Sequence, residues 1–316
     1  MNWYPLLFTP VYQEIIWGGK KLWQVLGRQV PYERTAESWE LSAHPKGITI
    51  VANGPLRGKT ISDLIRMDSS GFLGVDDPEI DFPLLVKIIG AQRDLSIQVH
   101  PDDLVGSKHG VPGKTEAWYV LFAEKDSRII YGLKPGISKE RLKLALETGQ
   151  ILSCVNQIPV QAGDFIPIPA GCIHALGAGI LVAEIQQSSD TTYRLYDWGR
   201  TGVDGKPRPL HIREGLEAVN TKLPIPASFK CNPEEGLLFK DQHFSITRSK
   251  VRGERRFRRT STFTIWTVIE GKGTVSAGGE EVALARGSSV LLPAGIKETV
   301  AAGEFSFLLT MPSILK

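Results

Sequence analysis

The sequence predicts a mainly β protein made of two β-barrel modules with a small helical insertion. Three observations lead there. Short segments rich in β-branched and aromatic residues recur, each bounded by Gly or Pro. Helical periodicity is confined to a few stretches. One pattern, Gly163–His174, returns at Gly287–Glu298 behind a similar apolar strand.

In chain order, strands are expected over Gly47–Val51, Pro83–Ile89, Ser96–Val99, Glu116–Phe122, Arg128–Tyr131 and Ile180–Gln186. Such short strands between turn residues suit a barrel or sandwich. A helix is expected over Thr60–Met67, where Thr60 and Asp63 stand at capping-box spacing. A second, Ser138–Gln150, follows Pro135-Gly136 and carries Leu142, Leu146 and Ile151 on one face. A third is expected over Ile212–Val219, with Leu216 and Val219 as its apolar stripe.

The repeat organises these elements. GDFIPIPAGCIH and GSSVLLPAGIKE align Gly163, Pro169, Gly171 and His174 with Gly287, Pro293, Gly295 and Glu298 at one constant offset. Trp118-Tyr119-Val120-Leu121 similarly echoes Trp266-Thr267-Val268-Ile269. The expected division is a catalytic barrel over 1–134 and 158–235, a helical insertion over 135–157 and a second barrel over 236–316.

At 42% apolar and 22% charged, the 316 residues can bury a core without staples. A formal charge of +3 does not argue for nucleic acid or membrane as partner, and is compatible with a small anionic metabolite. Three scattered cysteines, Cys154, Cys172 and Cys231, favour a reducing compartment over a disulfide framework. The N-terminus lacks the basic and apolar regions of a signal peptide, and no run approaches a membrane span, so a cytoplasmic location is expected.

The spacing from Gly163 to His174 resembles the second motif of the cupin superfamily, in which that His points into the barrel and binds a metal. The superfamily's first motif supplies His-x-His and a Glu; here Gln98-Val99-His100 and Glu116 correspond. Side chains alternate faces along a strand, so Gln98 and His100 point the same way. Gln98, His100, Glu116 and His174 can then converge inside one barrel. Two imidazoles, a carboxylate and an amide oxygen suit Zn²⁺, with Mn²⁺ or Fe²⁺ as alternatives. The second module has Glu298 in the His174 position and no His-x-His before it, so it is expected to be metal-free, with one zinc per chain.

Longer motifs narrow the resemblance. LSIQVHPDD (Leu95–Asp103) and GKTEAWYVL (Gly113–Leu121) resemble the signatures of type I phosphomannose isomerases. Ala183–Arg200, Trp17-Gly18-Gly19 and AESWELSAHP (Ala36–Pro45) are similar to the family's short bacterial branch. The resemblance implies zinc ligands Gln98, His100, Glu116 and His174, substrate or phosphate contacts from Lys87, Ser96, Lys114 and Trp17, and catalytic roles for Arg194, Lys114 and Glu184. It implies interconversion of mannose 6-phosphate and fructose 6-phosphate through an enediol. Lys114, Glu184 and a zinc-bound water remain alternatives for the proton-abstracting group. Larger relatives carry a basic residue soon after the Arg194 position, where this chain has Tyr196-Asp197-Trp198, so no role is carried over between Arg194 and Arg200.

Other features have plainer readings. Arg255-Arg256-Phe257-Arg258-Arg259 would spread across two strand faces as a solvated edge that discourages strand association. Cys172 should turn away from the metal, and His44, His109, His211 and His243 match no ligand position. A cupin dioxygenase would favour an apolar pocket, against Lys87, Lys114 and Arg194; a sugar-sensing cupin would lose its ligands in both barrels.

Overall fold

The computed structural model describes residues 1–202, 205–231 and 234–313. It is mainly β, and its sheets are compatible with the jelly-roll pattern. The chain forms two units, Met1–Val11 with Ser38–Lys87 and Cys231–Lys316, and Tyr12–Glu37 with Ile88–Lys230.

The first unit carries an eight-stranded sheet. Its order is Gly236–Lys240, Phe244–Arg258, Glu298–Pro312, Thr264–Ala277, Ser289–Leu292, Leu6–Thr9 and Ile50–Val51, with Glu280–Ala285 beside Thr264–Ala277. The N-terminal strand was expected in the 1–134 part of the catalytic barrel. In the structure Leu6 and Leu7 pair with Leu291 and Val290, and Leu6 is fully buried there. The expected strand Gly47–Val51 shrinks to Ile50–Val51, because Gly47 N–H bonds the His44 carbonyl and Thr49 N–H the Ser42 carbonyl.

Three long strands here run through glycines. Gly253 and Gly273 both face Gly303 across the ladders joining Phe244–Arg258, Glu298–Pro312 and Thr264–Ala277. A Cβ on Gly303 would sit 2.6 Å from the Gly273 Cα, so the glycines permit close approach and do not break the strands. Beyond Arg248, Phe244–Arg258 outruns its Gly236–Lys240 neighbour, and the arginine run lies on that exposed edge.

The helix in this unit runs Ile61–Phe72 and starts with the expected capping box. Its interior breaks at Asp68 (φ −166°, ψ 76°), next to the expected end at Met67. Asp68 there accepts hydrogen bonds from the Trp3 indole (3.0 Å) and the Gly71 N–H (2.9 Å).

The second unit contains a five-stranded sheet ordered Tyr193–Tyr196, Ile97–Val99, His174–Leu176, Arg128–Leu133 and Val155–Pro159. A six-stranded sheet, whose strands Leu84–Ala91 and Thr35–Leu41 each cross the division between the units, is ordered Phe165–Ile168, Glu116–Ala123, Ile180–Gln187, Leu84–Ala91, Thr35–Leu41 and Val11–Gly19. One apolar cluster joins Trp118, Val120, Ile166 and Val182 of the six-stranded sheet to Ile129, Tyr131 and Leu176 of the five-stranded one. A second cluster covers the opposite face of the five-stranded sheet. There Ile97, Val99, Ile130, Ala175 and Leu195 pack under the helices Lys139–Glu147 and Ile212–Ala218 through Leu142, Ala145 and Ala218. The Ser138 hydroxyl caps the first of these by accepting from Arg141 N–H at 3.2 Å. Short helices over Lys21–Leu26 and Asp103–Lys108 had no expectation. Among the described residues, no helix is long and apolar enough to cross a membrane.

Candidate metal centre

Strand alternation decides which side chains the two sheets present to each other. On the five-stranded sheet the outward residues are apolar and packed under helices, so the intervening ones face inward. They form a row across three ladders: Arg194 opposite Gln98, Gln98 opposite His174, His174 opposite Tyr131. On the facing sheet, Glu116 stands opposite Gln186 and Trp118 opposite Glu184.

The two faces meet at Glu116. His100 Nε2 lies 3.4 Å from one carboxylate oxygen and His174 Nε2 lies 3.3 Å from the other. All three side chains are within 1% of complete burial. Among the described residues, these are the His, Cys, Asp or Glu side chains that converge as a group of three. The turn before His174 is set by Gly171, whose N–H bonds the His100 carbonyl at 2.8 Å. Its φ is +85°, and a Cβ would approach the Asn220 Cβ at 2.9 Å, so glycine is required there.

Gln98 joins them. Its Nε2 is 3.2 Å from His174 Nε2. A half-turn of the amide exchanges Nε2 for Oε1 at little steric cost and presents an oxygen to the same point. His174 Nδ1 is 3.0 Å from the Cys172 carbonyl oxygen, to which only an N–H can donate. The proton therefore sits on Nδ1 and the Nε2 lone pair is free to face the carboxylate.

Lys114 supplies the local positive charge. Its Nζ lies 2.9 Å from Glu116 Oε2 and 3.2 Å from His100 Nε2. Burial first, then the Lys114 ammonium, lowers the His100 pKa to about 3, so the imidazole is neutral. Burial would raise the Glu116 carboxyl, but the Lys114 ammonium holds it well below the usual carboxylate range.

The donor set fits a tetrahedral cation. Ligand atoms about 2.05 Å from a zinc ion at the tetrahedral angle are about 3.3–3.4 Å apart, and each imidazole Nε2 lies at such a distance from one of the two Glu116 oxygens. Lys114 pairs with Glu116 Oε2, while the buried Oε1 has no hydrogen-bond partner among the described residues and is an acceptor that a cation could satisfy. Cys172 takes no part: it belongs to the apolar cluster, and burial pushes its thiol up to about 12.

Ser96 is buried and shares the Gln98 face by alternation. Glu184 accepts from the Trp118 indole at 2.8 Å, and that ring meets His174 edge-on at 5.5 Å. Trp118 was not singled out, although it lies two residues beyond Glu116 on one strand face. Trp17 is buried in the same apolar cluster as Trp118. Lys87, in the first unit, is buried with its Nζ 4.9 Å from the Trp39 ring centroid. Arg194 Nη1 donates to the Pro209 carbonyl at 3.0 Å, while its buried Nε has no partner among the described residues. His109 contacts Glu217, and His211 accepts from the Arg194 backbone, both away from the cluster.

The family pattern described as "Phosphomannose isomerase type I, catalytic domain" matches residues 6–122, and "Mannose-6-phosphate isomerase, cupin domain" matches residues 235–312. A probable mannose-6-phosphate isomerase of Bacillus subtilis is 37% identical over 98% of this chain and 99% of its own length. The mannose-6-phosphate isomerase of Streptococcus mutans is 36% identical over 96% of this chain and 97% of its own. A crystal structure of the Bacillus subtilis mannose 6-phosphate isomerase superposes with a TM-score of 0.85 at 34% identity, covering 97% of this chain and 99% of that one.

Proposed function

Because this chain belongs to the type I mannose-6-phosphate isomerase family, we propose that it interconverts mannose 6-phosphate and fructose 6-phosphate through an enediol, with one zinc ion held by Gln98, His100, Glu116 and His174. The observation that carries the reading is the convergence of two imidazoles and a carboxylate, all buried, with His100 Nε2 3.4 Å and His174 Nε2 3.3 Å from Glu116 oxygens.

The reaction moves a proton between C1 and C2, and its barrier is dominated by negative charge developing on the sugar oxygens. Zinc held by Gln98, His100, Glu116 and His174 would supply a Lewis acid to stabilise that charge. The protein contributes fixed groups around it. Arg194, inward-facing in the Gln98 row, adds positive potential that needs no reorganisation during the reaction. Lys114 can hold a proton or an anionic oxygen beside Glu116. Glu184, which accepts from the Trp118 indole, and Lys114 are the two candidates for proton transfer among the chain's own residues. Lys87 and Ser96 are assigned to the phosphate and Trp17 to an apolar wall of the substrate site, so that binding remote from the reacting carbons orients the sugar. The 236–316 module is assigned a structural, metal-free role, and a cytoplasmic location is in keeping with three free cysteines.

Elemental analysis combined with a coupled assay on mannose 6-phosphate tests the reading. One zinc per chain, with isomerisation lost on chelation and restored by zinc, is the expected result. Undiminished turnover after complete metal removal would overturn it.

A further inference from the structure

Past Arg194 the chain turns back on itself through a polar knot that the isomerase reading does not use. Asp197 is 6% exposed and receives two guanidinium groups at once. Arg200 donates to Oδ1 through Nε at 3.0 Å and Nη2 at 2.9 Å. Arg208 donates through Nε to Oδ2 at 2.7 Å and through Nη2 to Oδ1 at 2.5 Å. Arg200 also donates through Nη1 to the Asp94 carbonyl, which anchors the knot to the start of the segment carrying Ser96, Gln98 and His100. The turn between Asp197 and Arg200 holds Trp198 at φ +58°, a left-handed conformation that a bulky side chain adopts only when its surroundings fix it. The Trp198 indole bond to the Leu95 carbonyl at 2.8 Å is one such constraint.

The knot leads back to Arg194. Residues just beyond Arg208 are docked on the Arg194 strand by three hydrogen bonds. Arg194 Nη1 donates to the Pro209 carbonyl, Arg194 N–H to His211 Nδ1, and His211 N–H to the Arg194 carbonyl. The Pro209 carbonyl that orients the Arg194 guanidinium is therefore one residue from the arginine that Asp197 grips. Asp197 is engaged by its own two arginines, and Arg194 has no carboxylate within ion-pair distance among the described residues.

We propose that Asp197 is a positioning residue for the isomerisation: by clamping Arg208 and Arg200 it fixes the Pro209 carbonyl and so holds Arg194 in its inward orientation, un-neutralised. The proposal rests on the catalytic reading of Arg194. A pair of linked arginines gripped by one buried carboxylate gives a bidentate geometry that a neutral amide or a lysine does not reproduce.

A double-mutant cycle on the zinc-loaded full chain tests it, with kcat and KM measured for each variant. Asp197→Asn should lower kcat by on the order of tenfold while KM changes by less than about threefold. In the Arg194→Ala background the same substitution should change kcat by less than about twofold, because residues that act through one group are not additive. Arg208→Lys keeps the charge and loses the fork, so it should reproduce the kcat loss and the same non-additivity; it carries the cycle if Asp197→Asn does not fold. Equal kcat losses from Asp197→Asn in both backgrounds, or a wild-type kcat in both Asp197→Asn and Arg208→Lys, overturn the relay while leaving Arg194 catalytic. A wild-type kcat in Arg194→Ala alone overturns the catalytic reading, and the relay with it.

Discussion

The backbone carbonyl of Cys172 faces His174 Nδ1 at 3.0 Å, and this contact fixes which imidazole nitrogen carries the proton. It leaves Nε2 turned to Glu116 as a metal-binding lone pair. Removing that lone pair should be visible without any assay of turnover. His174→Ala should lose stoichiometric zinc by elemental analysis, and added zinc should raise the melting temperature of the wild type but not of the variant. An equal zinc-induced shift in both proteins would remove His174 from the ligand set.

Glu298, the counterpart of His174 in the sequence repeat, differs in every physical respect. It is exposed and pairs with Arg256 at 2.9 Å on the open strand edge. Exposed pairs of this kind contribute about 0–1 kcal/mol. Glu298→Ala should leave zinc content, kcat and KM at wild-type values and shift stability by less than about 1 kcal/mol in urea titration. A second zinc per chain in the wild type, lost in this variant, would contradict the metal-free assignment of the 236–316 module.

Arg194 and Lys87 should separate chemistry from binding. If Arg194 stabilises charge that develops only in the transition state, Arg194→Ala should cut kcat by about 10²–10³ with a smaller change in KM. Lys87→Ala should mainly raise KM, since uniform phosphate binding acts on ground and transition states alike. Steady-state kinetics with zinc content held equal distinguishes the two patterns. Full turnover in Arg194→Ala would leave the developing charge to zinc and Lys114.

The site was legible where chemistry follows strand alternation. Gln98 and His100, Lys114 and Glu116, and the Gly163–His174 spacing are local patterns, and the fold brings their side chains together. The pairing of Leu6 with Leu291 was not legible, because no local signal links strands at opposite ends of a chain. The long strands through Gly253, Gly273 and Gly303 were hidden because a glycine that admits a neighbouring backbone resembles one that ends a strand. Asp197 read only as a departure from the larger relatives' pattern. Its meaning comes from Arg208, which returns to it through the fold.

The capping box at Thr60 and Asp63 gives the last prediction, one of stability and its pH dependence. Thr60 Oγ1 accepts from Asp63 N–H at 3.1 Å, and Asp63 Oδ2 accepts from Thr60 N–H at 2.9 Å and from its hydroxyl at 2.7 Å. Thr60→Ala should destabilise the chain by about 0.5–2 kcal/mol, the usual cost of a lost N-cap. The Thr60 backbone N–H, and then its hydroxyl, lower the Asp63 carboxyl to about 2 in the folded state. A depressed folded pKa stabilises the fold above the unfolded value, near about 4, and the contribution is lost as pH falls through the folded value. Asp63→Asn should therefore be less stable than wild type at pH 7, and the gap should narrow as pH falls from about 4 towards about 2. Denaturant titrations of both proteins across that range measure the gap. A gap that stays constant, or widens on acidification, would show that the Asp63 charge takes no part in holding this helix end.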